Sequence, residues 1–357
     1  MKKLYSSVIL ISFFCQILCL GVIAKPQLSQ DQKILQVLNR LTFGPKPGDI
    51  DYVKKVGINQ FIEEQLNPEN FTLPDNLLSN LKQNEGIMLS PHQILSKYSL
   101  PVVKKQYPNP DDIAELHKTV RTNNQAFYRY AVQAKFERVL SSPRQLQEVM
   151  TDFWFNHFNI SKDKGLCHLL VANYEERAIR ANALGNFRDL LGATANHAGM
   201  LLYLDNWQNS YFDRKKNNKS GINENYAREI MELHTLGVDG GYTQKDVISL
   251  AHILTGLSIL QPLKTSDSLP DNALYNQASG AVFFPNRHDF SDQTVMNTKF
   301  KAGGLDQINA ALDFLAYHPA TAHHISYEIA QYFLGLKIGR GFSTNRQRLD
   351  RTAQKVL

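Results

Sequence analysis

Cysteine is scarce in this sequence and occurs only at Cys15, Cys19 and Cys167. We expect the first two to be removed with an N-terminal segment, which would leave Cys167 alone and exclude an internal disulfide. The residues before them, Phe14 and Leu18, are large, whereas lipid attachment requires a small residue at that position, so the pattern argues against a lipoprotein. The fold must therefore be held by an apolar core, as a chain of this size allows.

The sequence also lacks a strong excess of positive or negative charge, and it lacks the common catalytic motifs. The formal net charge of +6 would fall to +4 without Lys2 and Lys3, and no basic block precedes the last segment. This excludes nucleic acid as an expected partner. The sequence has no H-E-x-x-H, P-loop, G-x-G-x-x-G or G-x-S-x-G motif and no cysteine ligand set, which excludes the commonest zinc protease, nucleotide-binding and hydrolase classes.

The longest apolar run is short and lies at the N-terminus. Lys2 and Lys3 precede uncharged apolar residues from Val8 to Ile23, and the small residue Ala24 follows. A spanning helix needs roughly 20 residues, so this run is too short for one. The three parts are typical of a secretory signal peptide. We predict cleavage after Ala24, a periplasmic or extracellular location and no stable membrane span afterwards; the alternative is an uncleaved anchor.

Helical periodicity dominates the rest of the chain, as in the i, i+4, i+7 spacing of Ile34, Leu38 and Leu41. We predict a mostly all-α fold, a multi-helix orthogonal array, with one helical domain over residues 25–334. Only residues 281–300 look extended, and no alternating series is long enough for a real sheet. The predicted later helices are Asp111–Leu140, Ser142 to about Phe158, Ala172–Ala183, Asn186–His197, Asn223–Leu236, one opened by Thr243 and Asp246, Leu305–Tyr317 and Ala320–Leu334.

The most distinctive block is the polar helix that begins at Asn223. On a helix, Glu224, Arg228 and Glu232 form a stripe with Glu229 beside it, opposite an apolar side made by Tyr226, Met231, Ile230, Leu233 and His234. One interpretation is a solvated helix face that is stabilised by ion pairs between residues i and i+4. The other is a cleft in which the carboxylates bind a hard cation or divide acid and base roles. His234 is interpreted as a core histidine.

A second block, Asp152–Asn159, ends the preceding helix and places His157 on an apolar face with Leu146, Met150 and Phe153. A buried imidazole needs a partner, and a backbone carbonyl or a carboxylate is the usual one. The alternative is a metal ligand or general base beside the carboxylate helix. His288–Asp289 is a further candidate ligand pair or merely a turn, whereas the adjacent His323 and His324 face different ways.

These blocks together resemble the bacterial domain-of-unknown-function family 1800. The resemblance covers roughly residues 33–334 and rests on Leu38–Pro45, Trp154–Phe158, Leu202–Asn206 and Asn223–Gly237, which occur in the family's order. It implies an exported bacterial protein of unsettled activity, typically encoded beside an exported sulfatase-like protein that would be its partner. Carried over to this chain, the family motif singles out Asn223, Glu224, Asn225, Arg228, Glu229, Glu232, His157, Asp205, Asn206, His288 and Asp289.

The sequence departs from the family at three places. Relatives often have phenylalanine at the position of His234, and a glycine and a lysine at the positions of Ser291 and Gln293. These departures put in doubt any role of His234 and any site built on His288 and Asp289. From Gly335 to Leu357 the pattern becomes irregular and basic, so we expect a tail here and an end that is early for the family.

Two functions remain open from the sequence. The first is an envelope or extracellular hydrolase acting on a polysaccharide or another polymer, with Glu224, Glu229, Glu232, His157, Arg228 and Asp205 as the catalytic candidates. A divalent metal is the candidate cofactor, with His157, Glu229, Glu232, His288 and Asp289 as its candidate ligands. The second function is a noncatalytic scaffold or binding module that works with the co-encoded protein. Whether the chain is an enzyme depends on whether these side chains meet.

Overall fold

The computed structural model describes residues 28–211 and 221–335. The predicted signal peptide and the predicted basic tail beyond residue 335 lie outside these residues. Contacts divide the chain into two units, residues 1–62 and 63–357, and each is described here by itself. Within the described ranges, no helix combines the length and the apolar character needed to cross a bilayer.

The first unit consists of short helices around a small core. Helix α1 spans Gln30–Leu41, α2 spans Asp49–Val56, and α3, Ile58–Leu66, begins in this unit. Ser29 caps α1 through its hydroxyl, which accepts a hydrogen bond from the backbone N–H of Gln32. The core is made by Ile34, Leu38, Val53 and Phe61. Of the three residues predicted from the helical spacing, Ile34 and Leu38 thus lie in this core, whereas Leu41 is half-buried and is not part of it.

The second unit is also built mainly of helices, which confirms the predicted mostly α-helical fold. Its longest helix, α8, is amphipathic only weakly and packs against α10, which lies in the centre of the unit. The helices of this unit are α4 Asp75–Lys82, α5 Glu85–Met88, α6 Pro91–Tyr98, α7 Leu100–Val103, α8 Ile113–Ser141, α9 Gln145–His157, α10 Cys167–Tyr174, α11 Phe187–Ala195, α12 Ala198–Tyr203, α13 Asn225–Glu232, α14 Gln244–Ile253, α15 Leu305–Tyr317 and α16 Pro319–Leu334.

Two predicted helix boundaries are wrong for local reasons. Ser142 ends α8 instead of opening α9, and its hydroxyl accepts the N–H of Arg144 at 3.1 Å, so α9 starts only at Gln145. The helix predicted over residues 172–183 starts at Cys167 as α10. It then widens into a π-helical turn, Glu175–Ile179, followed by a 3₁₀ turn.

The π-helical turn carries part of a buried ion network. Arg180 contacts Glu148 at 2.6 Å and Glu176 at 3.2 Å, and Arg138 contacts the same Glu176 carboxylate at 2.7 Å. Burial raises the pKa of the neighbouring Glu175 carboxyl. The network ties α8 and α9 to the turn, and its charges are compensated internally, as buried charges must be.

The extended part of the chain forms two small sheets, which corrects the expectation that no sheet would form. Strands β1 (Leu257–Ile259), β3 (Ala281–Phe283) and β2 (Leu274–Tyr275) form an antiparallel sheet in the order β1-β3-β2. Strands β4 (Gln293–Val295) and β5 (Thr298–Phe300) form a hairpin. All residues of β1 and β3 are buried, and each strand is only three residues long, too short for an alternating pattern to be recognised in the sequence.

Candidate functional site

Helix α13 is shorter than predicted, and amide side chains hold its start. Asn223 accepts the N–H of Asn225 at 3.0 Å, and the Asn225 side chain donates to the carbonyl of Leu204 at 3.1 Å. The apolar side of the helix is buried through Tyr226, Ala227, Ile230 and Met231, whereas Leu233, assigned to that side from the sequence, lies past the helix and is half exposed. The polar stripe therefore faces away from the core.

Within residues 28–211 and 221–335, the predicted stripe contains one ion pair, between Glu224 and Arg228. Arg228 Nη2 donates to Glu224 Oε2 at 3.1 Å, and the Gln244 side chain donates to the same oxygen at 2.6 Å. Arg228 also donates to Gln244 Oε1 at 2.9 Å. About two fifths of each charged side chain is exposed, so this triad lies at the surface. It joins the start of α13 to the start of α14.

Glu229 and Glu232 are half buried further along α13. Burial, and secondly the charge of Glu232, raise the pKa of the Tyr242 hydroxyl, so Glu232 lies near Tyr242. Burial, and secondly the charge of Glu232, raise the pKa of the Glu229 carboxyl. The two carboxylates are therefore close enough to repel each other, and the charge of Arg228 lowers the pKa of Glu229 by less than burial and Glu232 raise it.

His157 is partnered by a carboxylate from elsewhere in the fold. Its Nδ1 lies 2.8 Å from Glu328 Oε2, and its Nε2 lies 3.1 Å from the carbonyl of His234. His324 approaches Glu328 Oε1 at 3.3 Å and the carbonyl of Thr235 at 2.8 Å. We call His157, His324 and Glu328 the Glu328 cluster. His234 is buried, as predicted, and burial lowers its pKa to about 3.

Asp205 has a positioning role in the structure. It adopts the left-handed conformation with φ 60°, and its carboxylate binds Lys164 at 2.7 Å. The next residue, Asn206, is fully buried and donates to the carbonyls of Leu254 and Leu257 at 3.2 and 2.8 Å. The predicted motif thus fixes the turn after α12 against β1.

His288 and Asp289 are both buried, but they do not act as a pair. His288 Nδ1 faces the carbonyl of Thr255 at 2.8 Å, whereas Asp289 Oδ2 lies 2.6 Å from Nδ1 of His252. The Asp289 side chain is 7% exposed and that of His252 is 27% exposed. We call this the His252–Asp289 pair. Sequence reasoning missed His252. The sequence feature that could have identified it is its spacing of i, i+4, i+8 with Gln244 and Ile248, which places all three residues on the solvent side of α14.

The predicted catalytic set is therefore divided into separate groups. Glu224 and Arg228 bind Gln244, Glu229 and Glu232 lie near Tyr242, His157 binds Glu328, and Asp205 binds Lys164. Among the contacts of residues 28–211 and 221–335, Glu224, His157 and Asp205 each have a partner on a different element, and none of these contacts joins them into the one polar cluster expected from the sequence. Nor do the candidate metal ligands converge: over residues 28–211 and 221–335, no three or more His, Cys, Asp or Glu side chains are grouped so that they could hold a metal ion.

A cleft of about 690 Å³ opens beside the start of α13, and we call it the Trp207 cleft. Its position relative to the His252–Asp289 pair follows from Asn209. The Asn209 side chain donates to the carbonyl of Ala251 at 2.8 Å and accepts the N–H of Asn223 at 3.0 Å. His252 and Glu224 directly follow these two partners in the chain, and the Tyr211 ring, whose backbone N–H donates to the carbonyl of Arg287 at 2.8 Å, lies 6.5 Å from the His252 ring. The cleft is lined by Trp207, Gln208, Gly221, Ile222, Asn223, Glu224, Gln261 and Arg287.

The chain belongs to the family described as "Protein of unknown function (DUF1800)", whose model matches residues 36–341. The match covers most of the chain and confirms the resemblance. Neither a curated protein nor a solved structure shows significant similarity to the chain.

Proposed function

We propose that this family member is an exported hydrolase in which His252, oriented by Asp289, activates water next to the Trp207 cleft. The observation that carries the proposal is the 2.6 Å hydrogen bond between the buried Asp289 carboxylate and Nδ1 of a partly exposed histidine. A carboxylate that accepts Nδ1–H leaves the Nε2 lone pair free to take a proton. This arrangement is typical of general bases.

The surroundings of Asp289 support a fixed orientation. Its backbone N–H donates to the Thr255 hydroxyl at 2.8 Å, and the Gln293 side chain donates to Oδ2 at 3.4 Å. Thr255 in turn donates to the carbonyl of His252. Because both members of the pair are held by Thr255, little reorganisation is needed when the imidazole becomes charged.

The lining of the Trp207 cleft favours a polysaccharide substrate. Trp207 offers an aromatic surface for the C–H face of a sugar, and amide, carboxylate and guanidinium groups around it can pair with hydroxyls. Both described hydrogen bonds to Glu224 use Oε2, which leaves Oε1 for a hydroxyl of the substrate. Arg287 holds Trp207 through a 2.9 Å hydrogen bond to its carbonyl.

The chemistry that fits one histidine is the hydrolysis of an ester substituent on the sugar chain. Cleavage of a glycosidic bond needs an acid and a base on opposite sides of the sugar. At an ester, one imidazole can act first as the base and then as the acid. His252 takes a proton from water while the water oxygen bonds to the carbonyl carbon of the ester. The protonated imidazole then gives this proton to the sugar oxygen as the carbon–oxygen bond breaks.

The test is release of acetate from an acetylated polysaccharide, with p-nitrophenyl acetate as a second substrate. His252→Asn should lower kcat/KM by on the order of 10²–10⁴-fold. Asp289→Asn should cost on the order of 10²-fold or more, because the amide presents a donor to Nδ1 and favours the wrong tautomer. His323→Asn, on an exposed histidine of α16, is the matched control and should not change the rate.

Unchanged rates in His252→Asn and Asp289→Asn, at unchanged melting temperature, would overturn the catalytic proposal. They would support the second candidate, a noncatalytic module that binds a co-encoded exported partner. One observation favours this candidate: Phe136 and Leu140, one turn apart on α8, are 61% and 69% exposed. Export would be tested separately by sequencing the N-terminus of protein from the cell envelope, where we expect residue 25 first.

A further inference from the structure

A second cleft, of about 910 Å³, lies against the middle of α8, apart from the residues assigned above. One wall is a stripe on α8 that includes His117, Arg121, Asn124 and Tyr128. The other wall is the segment before and at the start of α10, with Lys162 and His168. We call it the Tyr128 cleft. We propose that this cleft binds an acidic polysaccharide, with Arg121 and Lys162 on its carboxylate groups and Asn124 on a hydroxyl.

Charge is the first argument. Arg121 makes no ion pair with any residue that the structure describes, so its guanidinium is available to an anion. Lys162 binds Asp163 at 2.6 Å and its ammonium lies 5.5 Å from the centre of the Tyr128 ring. Asp163 is the one carboxylate among the residues lining the cleft. A planar guanidinium prefers a carboxylate or another planar anion, which it binds through two hydrogen bonds.

The second argument is an unpaired acceptor. Asn124 Oδ1 is buried and has no hydrogen-bond partner among residues 28–211 and 221–335. A buried acceptor without a partner costs free energy, so a ligand whose binding turns the Asn124 amide towards a donor in the cleft is favoured. Sugars have hydroxyl donors, whereas a phosphodiester offers acceptors only. The ligand should therefore have both anionic groups and hydroxyls.

Shape is the third argument. The stripe from His117 to Tyr128 covers eleven residue steps, or about 16 Å along the helix axis. The Tyr128 side chain is half exposed and offers a flat surface to a sugar ring. Lys164 lies between the lining residues Asp163 and Gly165, and its 2.7 Å bond to Asp205 attaches the other wall to the fold. An extended oligomer fits this groove better than a single small anion.

The experiment compares galacturonate oligomers with neutral glucose oligomers of equal length, and with inorganic phosphate, by isothermal titration calorimetry on the full chain. We expect the acidic oligomer to bind at least about tenfold more tightly than either of the others, and more weakly at higher salt. Arg121→Gln should weaken binding by about tenfold, as expected for loss of a charge-assisted contact. Asn124→Ala should weaken it without changing the salt dependence.

The matched control is Arg129→Gln, which removes an equal charge from an exposed position of α8 outside the cleft and should leave affinity unchanged. Equal affinity for neutral oligomers or for phosphate, or equal weakening by Arg121→Gln and Arg129→Gln, would overturn the proposal. His252→Asn should bind the oligomer like the parent, because this inference does not rest on the proposed hydrolysis. Failure of one proposal is therefore distinguishable from failure of the other.

Discussion

His157 Nδ1 and Glu328 Oε2 lie 2.8 Å apart, and this bond joins the end of α9 to α16. The same carboxylate also binds His324, and the second nitrogen of each imidazole faces a backbone carbonyl after α13. Every ring nitrogen in the Glu328 cluster therefore faces an acceptor. Only an imidazolium can donate at both nitrogens. The cluster should thus be strongest when His324 is charged.

The first prediction concerns pH. Burial opposes both charges, but mutual hydrogen bonding prevails: it raises the pKa of His324 above 6.5 and lowers the pKa of Glu328 to about 2. The His324 contribution is complete below pH 6.5 and is lost as pH rises through its raised pKa. The Glu328 contribution is complete above pH 4.5 and is lost towards pH 2. We expect the cluster to stabilise the fold most between pH 4.5 and 6.5.

Urea unfolding from pH 5 to pH 9 tests this. The loss of unfolding free energy above pH 6.5 should be smaller in His324→Gln than in the parent, and unchanged in His323→Gln, whose histidine is exposed. The other titratable groups at the cluster are His157 and the buried His234, and the low pKa of His234 keeps it neutral in this range. An identical pH dependence in the parent and His324→Gln would contradict the prediction.

The second prediction concerns the buried ion network. Arg180→Ala leaves Glu148 without its 2.6 Å partner, and the two side chains are only 9% and 4% exposed. We expect a loss of about 3–5 kcal/mol of unfolding free energy, because an uncompensated buried charge remains. Lys118→Ala, which removes the exposed pair with Glu115, should cost less than about 1 kcal/mol. Similar losses in the two variants would show that the network is not effectively buried.

The third prediction revises the one made from the sequence for Glu229. If Glu229 belonged to the single polar cluster expected from the sequence, Glu229→Gln would change the stability of the fold or the free energy of metal binding by more than about 1 kcal/mol. In the structure Glu229 is half buried and its pKa is raised, so its charged form is disfavoured in the folded state. At pH 7 the variant should be equal to the parent or slightly more stable, within about 0.5 kcal/mol. The gain should vanish at pH 4, and a loss above about 1 kcal/mol would restore the original hypothesis.

The fourth prediction concerns the start of α14. Thr243 and Asp246 cap it reciprocally, and Asp246 Oδ1 also accepts the N–H of Met296 at 2.6 Å. Thr243→Ala should cost about 1 kcal/mol. Asp246→Ala should cost more in thermal unfolding, because it also leaves the β4–β5 turn unsupported. Equal costs would indicate that the bond to Met296 contributes nothing.

Local sequence determined most of the helices. The Thr243–Asp246 capping pair, the apolar spacing of Ile34 and Leu38 and the long α8 depend on interactions within a few residues, so they could be predicted without tertiary information. The burial of His157 and His234 also followed from helical periodicity. The family's motifs are local as well, and the family match confirms the assignment made from them.

Tertiary structure decided which polar groups meet. Glu328 lies 171 positions after His157 in the sequence, and Asp289 lies 37 positions after His252, so no local pattern links them. The all-buried strands β1 and β3 have three residues each, too few for the alternation that identifies a strand with one solvated face. Helical periodicity predicts whether a polar side chain faces the core or the solvent. Which residue that side chain contacts depends on how elements distant in the sequence pack together. For that reason the sequence identified Asp289 and His157 as candidates, whereas only the fold revealed their partners, His252 and Glu328.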